Sequence, residues 1–423
     1  MKTHEIISDL LTFLDGSPTA WHAIDQIKKK LLQEGFTELQ ESETWKISLG
    51  KKYFITRNDS SICAFRVPSK TPESSKIIGS HTDSPSLKLK PNAEFCAANM
   101  TMLGTEVYGA PLLSSWLNRD LGIAGRVFHL DKNGEKVHSL VSIDDSPVII
   151  PQLAVHLDRG VNETGLILNK QTHLAALAGV DVKEEFLTTL LEKKTGAKQI
   201  LSHDLFLFPI ERASLIGFQQ QLFASYRIDS LNSVHAALNA LTTAPKSNEL
   251  QLVVFWDNEE VGSATAQGAS SPFLLQILER ITLALNISRE QFLRFLSQSF
   301  CVSVDLAHGF HPSHPEKFEP LHQTLLNHGI VIKSNAQQRY ASNADSVSTI
   351  IALCHEHKIP FQHFTSRNDM PCGSTLGPLQ ASSTGITTVD IGCPQLSMHS
   401  SREIAGCADH LHMCRLLEAF LAG

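Results

Sequence analysis

Leu252-Val253-Val254-Phe255-Trp256-Asp257-Asn258-Glu259-Glu260-Val261-Gly262-Ser263 decides the reading of this chain. Five apolar residues in a row, with no alternation, predict a short strand covered on both faces, since a strand with one wet face alternates apolar with polar. Cys301 to Val304 and Ile386 to Val389 have the same form, and Lys76 to Ser80, Tyr53 to Thr56 and Ser61 to Val67 also read as strands. Between them the period turns helical. Leu231, Val234, Leu238 and Leu241 follow Asp229 on one face. Earlier, Ser17 offers a cap with Pro18 at the first helical position, Trp21, Ile24, Ile27 and Leu31 follow, and Gly35 stops the run. Such strands separated by helices predict an α/β protein with a three-layer α/β/α arrangement around a mostly parallel sheet.

One stretch breaks this pattern. From about Pro91 to Ser225 short apolar runs mix with turn signals such as Lys132-Asn133-Gly134, with one helical passage around Lys183 to Lys194. The expectation is a discontinuous α/β domain, residues 1–90 and 226–423, carrying an inserted β-rich domain, residues 91–225. At 423 residues the chain has room for two or three domains of roughly 150 residues each.

Composition excludes several classes. With 42% hydrophobic and 19% charged residues the chain is not disordered. The 36 Lys+Arg against 43 Asp+Glu give a net charge of −7, and no basic stripe is available to neutralise phosphates, so no nucleic-acid partner is expected. Lys28-Lys29-Lys30 reads as a solvated helix face. No run approaches the ~18 apolar residues of a membrane span. Acids near the N-terminus stand where a signal peptide needs an apolar run, so no membrane contact and a cytoplasmic location are expected. Eight cysteines without a C-x-x-C pair fit neither a disulfide framework nor a thiolate zinc site, and read as reduced, mostly buried thiols. No G-x-G-x-x-G follows a strand, and the G-x-S-x-G of a serine hydrolase is missing.

In open α/β sheets, sites form beyond the carboxyl ends of the strands. His81-Thr82-Asp83-Ser84-Pro85 follows one strand, Asp257 to Ser263 another, Asp305 a third, and Pro394 to His399 the last; Asp229 opens a helix. His81, Asp229, one of Glu259 and Glu260, Asp305 and His399 thus form an ordered set of imidazoles and carboxylates. Without thiolates, they suit a hydrolytic zinc, manganese or cobalt centre. Two ions roughly 3.5–4 Å apart need one shared carboxylate and two further ligands each, which five residues supply. Of the adjacent acids Glu259 and Glu260, one can bind metal while its neighbour acts as a base.

These motifs, with Gln338-Arg339-Tyr340-Ala341-Ser342-Asn343-Ala344 and Arg367-Asn368-Asp369-Met370-Pro371-Cys372-Gly373, resemble the M18 metallo-aminopeptidases, the aspartyl aminopeptidase family, in its bacterial aminopeptidase 2 form. The likeness runs from Phe13-Leu14-Asp15 to His399-Ser400-Ser401-Arg402-Glu403 and thins between about 160 and 222. It implies that His81, Asp229 and Asp305 hold one metal, and Asp229, Glu260 and His399 the other, most readily zinc, with cobalt or manganese as alternatives. It further implies that Asp83 orients His81, that Glu259 is the general base, and that His308, Lys333 and Tyr340 contact substrate. His156 matches a histidine that reaches the substrate from a neighbouring subunit, or serves as a ligand itself. Short peptides with a free N-terminus are the implied substrates, Asp and Glu the implied first residues, and a homo-oligomer, a dodecamer in the family, the implied assembly. The chain departs from the family's usual Tyr-Gly-Gly at Tyr108-Gly109-Ala110, and from Phe-Asp-Arg-Asp-Leu at Leu117-Asn118-Arg119-Asp120-Leu121. The competing expectation is a non-catalytic, metal-stabilised assembly or cargo-binding protein of the same fold; the spare acid Glu259 weighs against it.

Overall fold

A computed structural model describes residues 3–181 and 185–423. Its first part runs α1 (Thr3–Asp15), α2 (Ala20–Gln33), β1 (Thr37–Glu38), β2 (Lys52–Arg57), β3 (Ser61–Arg66) and β4 (Ser75–His81). The middle part runs β5 (Ser86–Ala97), β6 (Met100–Tyr108), β7 (Leu121–Leu130), β8 (Lys136–Val148), α3 (Val161–Thr164), β9 (Ala176–Val180), α4 (Phe186–Thr195), β10 (Gln199–Pro209), β11 (Ser214–Ile216) and β12 (Leu222–Ser225). After it come α5 (Ile228–Thr243), β13 (Leu250–Trp256), α6 (Phe273–Ala284), α7 (Arg289–Gln298), β14 (Phe300–Val304), β15 (Ala307–His308) and β16 (Ile330–Lys333). The chain closes with α8 (Ala344–His357), β17 (Phe361–Phe364), α9 (Leu376–Thr384), β18 (Thr387–Gly392), β19 (Pro394–Leu396), β20 (Glu403–Gly406) and α10 (Cys407–Ala422).

The largest sheet has the order β1-β2-β3-β13-β4-β14-β18-β16-β17. Its centre, β13-β4-β14-β18, is parallel throughout, while β3 and β16 join it antiparallel. Every residue of β13 is buried, and its side chains divide between two cores. Val253 and Phe255 pack with α1, α2, α5, α8 and α10 through residues such as Leu10, Ile24, Leu231, Ile350 and Leu417. Leu252, Val254 and Trp256 pack with α6, α7 and α9 through Phe273, Phe292 and Leu376. The unbroken apolar run therefore exists because both faces are covered, at roughly 1.5–3 kcal/mol for each large apolar side chain removed from water.

A separate antiparallel sheet, β8-β7-β10-β5-β6-β9, has its own core around Trp116, Ile123 and Leu205. It begins at Ser86 and ends at Pro209. A third sheet, β11-β12-β20-β19-β15, pairs the 214–225 stretch with strands from the end of the chain. The helix expected from Ser17 starts instead at Ala20 with Thr19 in the cap position, because Ser17 accepts a hydrogen bond from Gln26 Nε2 at 2.6 Å and is occupied. Lys183 and the first two residues of the chain lie outside the described residues. No described helix is long and apolar enough to cross a membrane.

Candidate metal centre

At the carboxyl edge of the central strands a cleft of about 510 Å³ is lined by His81, Asp229, Glu259, Glu260, Asp305 and His399. His81 closes β4, Asp229 stands in the first turn of α5, Glu259 and Glu260 form a single helical turn after β13, and Asp305 follows β14. Asp229 lies between the two imidazoles. Its Oδ1 is 3.2 Å from His81 Nε2 and its Oδ2 is 3.6 Å from His399 Nε2. Asp305 Oδ1 is 3.3 Å from His81 Nε2, and Glu260 Oε1 is 3.3 Å from His399 Nε2. Three three-residue groups result: His81/Asp229/Asp305 and Asp229/Glu260/His399, which share Asp229, and His81/Glu259/Glu260. Sequence reasoning named all six residues, and the fold brings them together.

Backbone geometry sets these positions. Arg227, Asn258 and His399 all sit in the left-handed region, with φ of 64°, 62° and 65°. Non-glycine residues hold such angles only when neighbours over-determine them. Here the neighbours are explicit. Asp83 accepts hydrogen bonds from the backbone N–H groups of Glu259 and Glu260, each at 3.1 Å, and from the Tyr108 hydroxyl at 2.7 Å. Asp83 Oδ1 also lies 3.5 Å from His81 Nδ1, so one carboxylate steadies an imidazole and the acid pair together. Glu403 accepts from the backbone N–H of Asp229 at 2.9 Å and of His399 at 2.6 Å. The buried Arg227 guanidinium donates to the Thr82 carbonyl. Gly392 completes the frame: a Cβ there would fall 1.9 Å from the Asp305 carbonyl oxygen.

Arg227 escaped the sequence reading, and Tyr108 and Glu403, though they stand in quoted motifs, were given no role there. Each acts on backbone or on another acid rather than at the cleft, and Glu403's only signal was an acid four residues after His399.

Electrostatics follow from packing acids in a low-dielectric place. Burial drives Glu260 up to about 7 and Glu259 above its usual range, because no adequate positive charge compensates them. Burial alone would depress His399, yet Asp229 and Glu260 carry it up to about 11. His81 is raised in the same way by Asp229, Asp305 and Asp83. Asp229 is held below the carboxylate range, its burial outweighed by His399 and His81. Asp229 Oδ1 is buried and aligned with no hydrogen-bond donor. An all-nitrogen and oxygen donor set, a surplus of acid and an orphaned carboxylate oxygen fit divalent zinc.

Lys333, His308 and Tyr340 line the same cleft. The Lys333 ammonium donates to the Asp305 and Leu306 carbonyls, both at 3.0 Å, and stands 3.5 Å from Asp305 Oδ2. His156 is exposed, in the loop that presents Leu153, Val155 and Leu157 to solvent, and is not among the residues lining the cleft of its own chain.

A parallel-cored α/β sheet ending in an acid-and-imidazole cleft defines a metal-dependent hydrolase. The chain belongs to the M18 family: the family description "Aminopeptidase I zinc metalloprotease (M18)" matches residues 13–421. It is similar to a probable M18 family aminopeptidase 2 of Clostridium novyi, 43% identical over 98% of each chain. It is also similar to a probable aspartyl aminopeptidase of Ricinus communis, 36% identical over 98% of this chain and 94% of that one. Among solved structures, that of the Ape4 and Nbr1 complex superposes with a TM-score of 0.94 at 35% identity, covering 99% of this chain and 86% of that one. The S. cerevesiae mApe1 dodecamer superposes with a TM-score of 0.87 at 26% identity, covering 99% and 97%. Peptide hydrolysis at an amino terminus is therefore the reaction class, and the non-catalytic expectation is not retained.

Proposed function

We propose that the cleft holds two divalent cations, zinc foremost and cobalt or manganese as substitutes, and removes the N-terminal residue of short peptides. The carrying observation is the position of Asp229, whose two oxygens face two separate imidazole–carboxylate pairs. His81 and Asp305 complete one ligand set, and Glu260 and His399 the other. When bound, such ions lower the pKa of a water toward about 7 and polarise the scissile carbonyl. Glu259, placed beside Glu260 but outside both Asp229-sharing groups, takes the proton and delivers it to the leaving amine. Asp83 keeps both His81 and the Glu259–Glu260 turn in register.

Preference for Asp or Glu at the first position is part of this proposal, with Lys333 as the cation and His308 and Tyr340 as further substrate contacts. Exposed Leu153, Val155 and Leu157 around His156 support assembly of like chains, as in the dodecameric relative, with residues 91–225 serving assembly and access and His156 completing a neighbour's cleft. A fully active monomer in light scattering would contradict that assembly. The soluble working place proposed for it is the cytoplasm.

Glu259→Gln tests the reading directly. It should keep the fold and two metal equivalents per chain while lowering kcat by roughly 10²–10⁴-fold. Near wild-type kcat with both metals present would remove Glu259 from the base role.

A further inference from the structure

None of the cysteines lines the catalytic cleft. One of them belongs to a polar cluster inside the helical layer. His235 on α5, and His410 and Cys414 on α10, are buried among apolar residues. His410 and Cys414 are four residues apart on one helix and so share a face. His235 Nδ1 lies 3.0 Å from His410 Nε2, and Cys414 Sγ lies 3.5 Å from that same nitrogen. One donor atom from each of the three residues falls within 4.8 Å of the others. We propose that His235, His410 and Cys414 form a second metal site, taking a thiophilic divalent cation of the zinc type and separate from the catalytic cleft.

Spacing supports this first. Bonds of about 2.0–2.1 Å to nitrogen and 2.3 Å to sulfur place tetrahedral ligand atoms roughly 3.3–3.6 Å apart. The two contacts to His410 Nε2, at 3.0 and 3.5 Å, stand within a few tenths of an ångström of that, and the His235 and Cys414 donor atoms lie within 4.8 Å of each other. Two imidazoles and a thiolate select zinc, cobalt or copper(I) over magnesium or calcium.

The surroundings fit as well. Asp9 Oδ2 is 3.4 Å from His235 Nε2, the ring nitrogen turned away from the cluster. A carboxylate there fixes the tautomer that frees Nδ1 to ligate. The Asp9 and Cys414 charges together balance a divalent ion. Asn239, one turn beyond His235, donates to the Cys414 sulfur, a contact that favours its thiolate form. A cleft of about 400 Å³ lined by Asp9, Gln26, His235 and Asn239 provides a way in. Without an ion the same atoms make a hydrogen-bonded chain from Asp9 through His235 to His410, in which His410 Nδ1 stays buried without a partner.

Cobalt(II) reconstitution of the full-length, metal-stripped protein tests the proposal, because only a site with sulfur gives a thiolate-to-cobalt charge-transfer band in the near ultraviolet. Wild type should show that band and one cobalt per chain beyond the catalytic complement. Cys414→Ser should lose both and keep wild-type peptidase turnover. His235→Gln, which leaves the thiol in place, should weaken the band at limiting cobalt. Cys372→Ser, altering a thiol packed against Tyr340 near the catalytic cleft, should keep it. No band in wild type, a result independent of how any variant folds, would overturn the site, and so would a band that survives Cys414→Ser.

Discussion

Asp83 lines one of two polar cavities and hydrogen-bonds to the backbone of Glu259 and Glu260, which line the other. In front lies the 510 Å³ cleft, where Asp229, Glu259, Glu260 and Asp305 face a single ammonium, Lys333. Behind lies a cavity of about 150 Å³, where Asp83, Asp204 and Asp257 are met by Lys88, Arg126 and Arg227. Both are polar and both are walled by residues at strand ends. In front, four acids meet Lys333 and the imidazoles of His81 and His399; behind, three acids meet three permanent cations, although burial and Asp83 still push Asp257 up to about 7. Behind Asp83, burial raises Asp204, but Lys88 and Arg126 hold it below the carboxylate range. In front, His399 lies 3.3 Å from Glu260 Oε1 and lowers its pKa, yet burial prevails and leaves Glu260 up at about 7. A buried acid surplus is thus a vacancy for a cation, whereas a balanced network is a joint, here between β5, β7 and β10 of the antiparallel domain and the α/β layers.

Across all substrates alike, a large effect is expected at the wall itself. Asp83→Asn keeps the shape but loses the charge that steadies His81, and turns an amide toward one of the N–H donors of Glu259 and Glu260. Loss of such a partner typically costs 10–100-fold in metal affinity or activity. The expected result is a fall of that size in kcat/KM, relieved in part by excess zinc in a metal titration. A loss of activity with unchanged metal affinity would break the comparison, since Asp83 would then act on the Glu259–Glu260 turn alone.

Lys333 sharpens the front half. Its ammonium already donates to two carbonyls and stands near Asp305, so it could serve as a strut as well as a reader of acidic side chains. The two roles separate in a substrate panel. A charged hydrogen bond contributes roughly 1.5–3 kcal/mol, on the order of 10- to 150-fold. Lys333→Met is expected to reduce kcat/KM by that factor for N-terminal Asp and Glu and far less for Ala and Leu. Equal losses for all four would assign Lys333 to holding Asp305 and leave acidic preference without a cation.

The comparison also shows what the sequence could and could not disclose. Most of the candidate ligands were legible because they follow strands, of which Leu252 to Trp256 reports burial on both faces by its unbroken apolar run; Asp229 was marked instead by its place at the start of a helix. Asp204, Arg126 and Arg227 were not legible, since their network joins residues far apart in the chain, 78 positions for Arg126 and Asp204, and leaves no local pattern; Asp257 stood in a quoted motif, but nothing local tied it to them. The sheet containing β11, β12, β15, β19 and β20 was equally hidden, because strands of two to four residues are too short to show a period. Helix α2 was found but begun two residues early, as Ser17 spends its hydroxyl on Gln26 instead of a cap. His235, His410 and Cys414 went unread because two lie a turn apart on one helix and the third is 175 residues away.

The smallest effect is expected behind the wall, at Lys88. Its ammonium is 2.7 Å from Asp204 Oδ1, with both side chains about a third exposed, 33% and 31%. Solvent screens such a pair, and exposed ion pairs contribute about 0.2–1 kcal/mol. Lys88→Met should therefore lower stability by no more than that at neutral pH, read as a small drop in the denaturant midpoint. The pH dependence carries the sharper test. Asp204 is depressed in the folded chain, so its stabilisation is present above the unfolded carboxylate pKa of about 3.9 and is lost as pH falls through the lower, folded value. The deficit of Lys88→Met should accordingly hold from pH 7 to about 5 and shrink below about 4 as Asp204 takes up its proton. A deficit unchanged across that range would mean that Lys88 contributes through its packing against Phe206, where its ammonium sits 5.7 Å from the ring centre, and not through the charge balance that distinguishes the rear cavity from the front.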